Sequence, residues 1–237
     1  MCANWSGSVR ARKLRSRPVL PITARVPMPA TVDPLLSLSL FEAVRSVDMP
    51  TGELETEFVH ELRNKRLGLS DTVFAQIRRY TDAVRRNQRA SKDEAVALAK
   101  LIGRRPDAEP VFREAGRILA RQSYRTISPV TRRMMLMLPS LLSRPIALRH
   151  ARRITGRYAA GSVRRVGSTI LLEVRDSVTL DAAPRQAGCA YYEAALRELL
   201  ELLVGGVGAV EHVRCASRAE GWCEWRAEWR PIGSRSR

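Results

Sequence analysis

The feature that most constrains the fold is a change in the spacing of apolar residues near Gly156. Before this glycine, apolar residues recur every three or four positions, which is the spacing of amphipathic helices. After it, short runs rich in β-branched residues indicate strands. One longer helical pattern, Cys189–Val204, lies among these strands. This order predicts an α+β fold in which a helical N-terminal part packs on a small antiparallel sheet.

The first part of the chain contains four clear helical patterns. Ser70 and Ser91 stand where N-cap residues are expected, and Pro129 permits a further helical start. The last of the four has an apolar stripe on one side and arginines on the other, so it should be amphipathic with a cationic outer face. The predicted helices span Leu69–Arg86, Ser91–Ile102, Glu109–Gln122 and Ser143–Ile154.

The second part contains four predicted strands around the Cys189–Val204 helix, and the third of them spans residues 209–216. Residues 160–166 and 169–174 flank a Gly-Ser turn and should form a hairpin. The Gly-Gly-Val-Gly run at 205–208 follows a helix and precedes a strand, which is the reverse of a phosphate loop, so it predicts a helix-ending turn. The final strand, Trp222–Arg230, alternates strictly and places Cys223 and Trp225 on one face.

The most apolar run of the sequence, Met134–Leu142, spans nine residues and contains Pro139. It is too short to cross a membrane and predicts a buried element instead. The four cysteines and the lack of a signal-peptide pattern favour a reducing, cytoplasmic environment.

The net charge of +17 is concentrated in two segments. Residues 1–35 carry six Lys or Arg against one Asp, and four prolines lie within residues 1–32, so we expect a disordered basic tail before a single domain at 36–237. Met28 is an alternative start site within this tail. Residues 115–172, here called the arginine belt, contain twelve arginines and no acidic residue.

Three interpretations of the arginine belt stay open: a solvated surface, a site for an anionic ligand or acidic protein, and a nucleic-acid contact. No helix-turn-helix or aromatic stacking motif indicates specific DNA recognition. The candidate anion-binding residues are Arg144, Arg149, Arg152 and Arg153.

The last 49 residues contain three cysteines and one histidine at short spacing, in the pattern Cys189…His212-x2-Cys215-x7-Cys223. Thiolate and imidazole ligands are what a tetrahedral zinc site uses. The Cys-x-x-Cys pairs of many zinc sites are missing, so reduced core thiols and a disulfide or redox pair remain alternatives.

Several of these features resemble two related bacterial families. Phe112–Gly116, Gln122–Thr126 and the closing strand with Trp225 and Trp229 resemble a domain of unknown function with many paralogues in myxobacteria. The cysteine region resembles the 4-vinyl reductase domain, whose members are similar in fold to Bet3-type trafficking subunits. The resemblance implies a compact α+β domain that dimerises and holds a small apolar or aromatic ligand, in some members beside a zinc ion.

The resemblance also implies a zinc ligand set of three cysteines and a glutamate three residues before the second cysteine. Here that position is His212, itself a competent ligand, while Glu211 is the alternative one residue earlier. On a regular strand, Cys215 shares a face with Glu211 and Val213 rather than with His212. Coordination by His212 therefore requires a bend or bulge in this strand.

These observations predict a non-catalytic small-molecule-binding or sensory domain with a structural zinc site, its ligand held in the apolar interior between helices and sheet. His60 and His150 have no neighbouring pattern of a nucleophile-and-base set, so no catalytic residue is assigned. The alternatives are an interaction module that binds anions or nucleic acid through belt residues 117–165 and, less favoured, an auxiliary protein of tetrapyrrole metabolism.

Overall fold

The computed structural model describes residues 31–49, 70–138, 140–180, 182–206 and 208–228. Within these ranges the helices are α1 (Pro34–Asp48), α2 (Asp71–Arg85), α3 (Lys92–Gly103), α4 (Ala108–Arg125), α5 (Pro129–Met137), α6 (Ser140–Tyr158) and α7 (Ala190–Val204). The strands are β1 (Thr31–Val32), β2 (Ala90–Ser91), β3 (Gly161–Val166), β4 (Thr169–Val174), β5 (Val210–Arg214) and β6 (Cys223–Glu228). Short 3-10 helices cover Pro184–Cys189 and Ala216–Arg218. The α+β prediction is confirmed.

Local sequence signals set most helix boundaries. The Ser70 and Ser91 side chains accept hydrogen bonds from the first-turn amides of α2 and α3, as predicted for N-caps. Gly205 ends α7 in the left-handed conformation with φ 71°, so the predicted helix-ending turn is confirmed at that residue. Helix α6 is longer than predicted and includes Pro145.

The main sheet is antiparallel with the strand order β3-β4-β6-β5. Strands β3 and β4 form the predicted hairpin, with Gly167 in the turn at φ 61°. Strand β6 pairs with β4 so that Leu172 lies opposite Trp225. Cys223, Trp225 and Ala227 are buried while the residues between them are not, which confirms the predicted alternation. Trp229 and Arg230 lie outside the described residues.

The core forms where α7 packs against both α4 and the sheet. Tyr192 of α7 contacts Trp225 of β6, with ring centroids 5.2 Å apart. On the opposite side α4 approaches so closely that a Cβ at Gly116 would lie 2.1 Å from the Tyr191 carbonyl oxygen. Only glycine fits there, because any side chain would collide with backbone. Helix α7 is therefore held between two layers, and this fixes where Cys189 stands.

Residues 31–35, which were predicted to belong to the tail, are part of the described fold. Strand β1 pairs with β2, and Asp33 caps α1 by accepting a hydrogen bond from the Leu35 amide. The rest of the predicted tail, residues 1–30, lies outside the described part of the chain. None of the described helices is long and apolar enough to cross a membrane.

The prediction that the apolar run Met134–Leu142 is buried is wrong for three of the residues whose burial the structure describes. Met135 faces the core, but Met134, Met137 and Leu142 are exposed. Val130, Met134 and Met137 are spaced as successive positions on one outward face of α5, so the helical period separates them from Met135.

Candidate metal centre

Three chain segments bring the predicted ligands together. Cys189 is the last residue of the 3-10 helix before α7, and Cys223 is the first residue of β6. His212 lies in β5, and Cys215 follows that strand immediately. One ligand atom from each of the four residues lies within 4.8 Å of the others. We call this group the Cys3His cluster; it could hold a metal ion.

A bulge in β5 allows His212 to join the cluster. His212 pairs with Trp225, but the next paired residue is Arg214, opposite Glu224, so Val213 is an extra residue in the strand. This shift places His212 and Cys215 on the same side, as the strand periodicity required. Glu211 is exposed, pairs with Arg226 in the ladder and is not part of the cluster. His212 is therefore the fourth candidate ligand.

The sulfur spacing suits a tetrahedral metal ion. With zinc–sulfur bonds of about 2.3 Å, two ligands of a tetrahedral ion stand about 3.8 Å apart. The Sγ atoms of Cys189 and Cys215 are 3.9 Å apart. All three cysteines are free thiols and at least nine-tenths buried. Packed thiols without a metal ion can also lie this close together.

The surroundings of the His212 side chain favour a metal ion over packed thiols. Its Nε2 atom is buried and has no hydrogen-bond partner among the described residues. The ring stacks on Trp225 at 4.7 Å with an interplanar angle of 11°, which fixes its orientation. Buried polar atoms almost always have partners, and an unpaired one calls for an explanation such as an ion. One ring nitrogen of His212 lies within 4.8 Å of the three sulfurs, so a metal ion among them would give the ring a partner.

Electrostatics favour a cation in the same place. Hydrogen bonding from the Cys189 thiol is the main cause of a lowered pKa at Cys223 and outweighs the opposing effect of burial. The Ala216 amide also donates to the Cys223 sulfur, at 3.4 Å. The pKa of Cys189 is raised, mainly by its hydrogen bond to Cys223. One thiolate is favoured, whereas further thiolates would repel it unless a cation stands between them.

Backbone packing fixes the position of Cys189. The Thr179 hydroxyl donates a 2.7 Å hydrogen bond to the Gly188 carbonyl oxygen. A Cβ at Gly188 would lie 2.0 Å from the Thr179 carbonyl oxygen. A pocket of about 240 Å³ opens beside this contact and is lined in part by Cys189 and Ser217. The Ser217 hydroxyl lies 2.9 Å from the Cys215 sulfur. The cluster thus has one side that a small molecule can approach.

The pocket that the described residues form between the helices and the sheet is small. Its pocket, lined by residues that include Leu172, Tyr192 and Leu196, has a volume of about 20 Å³. That volume suits a single water molecule and is far too small for an organic ligand. Large side chains such as Tyr192 and Leu196 pack where the ligand was predicted.

The four predicted anion-binding arginines all lie on α6 but do not form one group. At about 100° per residue, Arg144 and Arg153 project from opposite sides of the helix. Arg152 donates through Nε to the Val163 carbonyl oxygen at 3.0 Å. Arg149 and Arg153 are exposed and have no carboxylate within ion-pair distance among the described residues. The predicted set therefore separates into residues in different surroundings.

Acidic residues outside segment 115–172 neutralise part of the arginine belt. Arg117 pairs with Glu114, and Arg121 pairs with Glu198 at 2.8 Å. Arg164 pairs with Glu224, and Arg157 pairs with Asp33. In three of the four pairs the acidic partner is distant in sequence. The net charge of residues 115–172 alone therefore overestimates the positive charge around these arginines in the fold.

Comparison with protein-family models, curated proteins and solved structures gave no match to this chain. The resemblance to the 4-vinyl reductase family therefore stays a prediction, as does the homodimer that it implies.

Proposed function

We propose that this chain is a non-catalytic, zinc-binding domain of 4-vinyl reductase type that binds a small molecule as a sensory or ligand-binding module. The observation that carries the proposal is the Cys3His cluster, whose four ligand atoms from three segments lie within 4.8 Å. The unpaired Nε2 atom of His212 adds to it.

Zinc is the metal that this donor set fits best. Three thiolates and an imidazole are soft to borderline ligands, which favour zinc over magnesium or calcium. Four protein ligands complete a tetrahedral shell and leave no open position for a substrate, which is the pattern of structural sites. The ion would tie the start of α7 to β5 and β6, so its binding energy would stabilise the fold.

The pocket of about 240 Å³ beside Cys189 and Ser217 is the place we propose for the small molecule. It borders a metal ligand, so an occupant would alter the packing around Cys189. Its lining combines apolar residues such as Leu180 with the hydroxyl groups of Thr179 and Ser217. A compact, partly apolar molecule with one or two polar groups would match this lining.

Metal content per chain, measured by elemental analysis on untagged protein, tests the proposal. We expect about one zinc per chain in the wild type and in Cys2→Ser, which removes a cysteine outside the cluster. Cys215→Ser and His212→Ala should both lose the metal, since each removes one of the candidate ligands. Protein without metal, or equal zinc in all four proteins, would contradict the assignment.

A polyanion-binding module is a second candidate, favoured by Arg149 and Arg153, which are exposed and have no ion-pair partner in the part of the chain that the structure describes. The double variant Arg149→Glu and Arg153→Glu should then elute from heparin at lower salt while keeping its metal content. Binding that is independent of salt concentration would argue against this candidate, because phosphate neutralisation releases counterions.

A further inference from the structure

A second, larger cavity lies away from the Cys3His cluster, where the turn between α4 and α5 meets α6. Its volume is about 370 Å³. Three of its lining residues carry basic side chains, and no carboxylate lines it. The polar residues around it that matter most are Thr126, Ser128, Thr131, His150, Arg153 and Arg157. We call this cavity the oxyanion pocket.

Helical periodicity puts the basic residues of the pocket on one face. Arg153 and Arg157 follow His150 by three and seven positions in α6, so the three project within about 60° of one another. Of the four arginines predicted to bind anions, only Arg153 lines this pocket. Sequence reasoning missed His150 and Arg157, although their spacing on the predicted helix was available as a signal.

The two arginines have different roles in the pocket. The Arg157 guanidinium is held in place by Asp33, at 3.2 Å, and by the Asn87 side-chain oxygen, at 2.6 Å. Arg153 has no carboxylate or hydrogen-bond acceptor within reach among the described residues. Arg157 is therefore held in place by its neighbours. The guanidinium of Arg153 retains its full capacity to donate to a ligand.

The surroundings of His150 indicate a positive potential. Its pKa is lowered, first by burial and then by the charges of Arg153 and Arg149. Asp33 offsets the charge of Arg157, whereas Arg149 and Arg153 have no carboxylate partner among the described residues. A group of cations without an acid in the cavity wall is a favourable place for an anion.

The wall formed by the turn between α4 and α5 supplies hydroxyl groups. Ser128 caps α5 and accepts a hydrogen bond from the Thr131 amide at 3.2 Å. The Ser128 and Thr131 hydroxyl oxygens lie 2.8 Å apart and line the cavity together. The N-terminal end of α5, the positive end of its dipole, also lies at this wall. Hydroxyl and guanidinium groups that line one cavity match the oxygens of a tetrahedral anion.

We infer that the oxyanion pocket binds the phosphate group of a small phosphomonoester, with Arg153 as the principal cationic contact. A volume of about 370 Å³ leaves room for an organic group beside the phosphate. The side chains converge on a cavity rather than forming an extended stripe, so one terminal phosphate fits better than a nucleic-acid backbone. The pocket does not depend on the metal centre, and the two proposals can fail separately.

Titration with inorganic phosphate and with phenyl phosphate, followed by the NMR signal of the His150 ring, tests the inference. We expect saturable shifts in the wild type and binding about tenfold weaker in Arg153→Gln, since a charge-assisted hydrogen bond is lost. Arg133→Gln removes an equal charge from an exposed position outside the pocket and should retain near wild-type affinity. Arg153→Lys should fall between the two.

Tighter binding of phenyl phosphate than of inorganic phosphate would assign the pocket to an organic phosphomonoester. Tighter binding of inorganic phosphate alone, equal weakening in Arg153→Gln and Arg133→Gln, or no saturable shift with either probe would overturn the inference. If Arg153→Gln does not fold, His150→Gln replaces it, with the bound state followed by calorimetry. Unchanged zinc content in these variants would show that any lost binding does not arise from the metal centre.

Discussion

The Cys3His cluster and the oxyanion pocket are built in opposite ways. The cluster joins residues from three segments, buries its three thiols and stands between α7 and two strands. The pocket is formed by residues 126–158, and its key arginine is exposed. A site that ties distant segments together contributes to folding, whereas a site formed by neighbouring elements on a finished surface contributes mainly to binding. Variants in the two regions should therefore fail differently.

The largest expected effect is that of Cys215→Ser on stability. This side chain is fully buried within the cluster, so its loss removes the metal and leaves two thiols and an imidazole without it. We expect the free energy of unfolding to fall by about 4 kcal/mol or more, measured by denaturant titration.

Ser217→Ala is the matched control, because its hydroxyl contacts the Cys215 sulfur without being a candidate ligand. It should cost no more than about 1 kcal/mol. Equal stability of wild type and Cys215→Ser would mean that the cluster does not contribute to folding, and the contrast between the two regions would disappear.

A smaller effect is expected from Gly188→Ala, which changes no candidate ligand. The new Cβ would lie 2.0 Å from the Thr179 carbonyl oxygen, so the backbone next to Cys189 must move. We expect a loss of about 2 kcal/mol together with weaker zinc retention against a chelator. Gly206→Ala, where nothing lies within 4 Å of the added atom, should change neither quantity.

The two regions should also respond to acid in opposite directions. The pKa of free His150 is below its ordinary value of 6.5, and a bound anion would raise it. The anion-bound form then holds more protons, so sulfate affinity should increase about fivefold between pH 7 and pH 5. Sulfate does not titrate in this pH range, and calorimetry would record the change in affinity.

His150→Gln should remove the pH dependence of sulfate binding. Zinc retention should instead decrease with acid, because protons compete with the metal for the thiolates.

The smallest effect is expected at a neutralised arginine of the belt. Arg121 pairs with Glu198 at 2.8 Å on the surface, so Arg121→Gln should cost about 0.5 kcal/mol and leave phosphate binding unchanged. Arg153→Gln should leave stability unchanged and weaken phosphate binding instead. A stability loss at Arg153 equal to that at Arg121 would show that both arginines serve the fold alike.

Much of the fold was predictable because its signals are local. Ser70 and Ser91 are good caps wherever a helix follows them, and the alternation around Trp225 buries one face whichever strands lie beside it. The exposed Met134 and Met137 were predicted incorrectly, because an apolar run contains no information about which face of its helix meets a neighbour.

The sequence by itself determined the order of helices and strands, the candidate ligands and the condition that β5 must bulge for His212 to join Cys215. Only the tertiary structure decided that Val213 is the bulged residue, that Glu211 stays outside and that the pocket beside Leu172 and Tyr192 is small. It also decided which belt arginines have acidic partners, such as Arg157 with Asp33. The physical reason is range: caps and periodicity act within a few residues, whereas register, packing volume and ion pairing depend on segments that meet only when the chain folds.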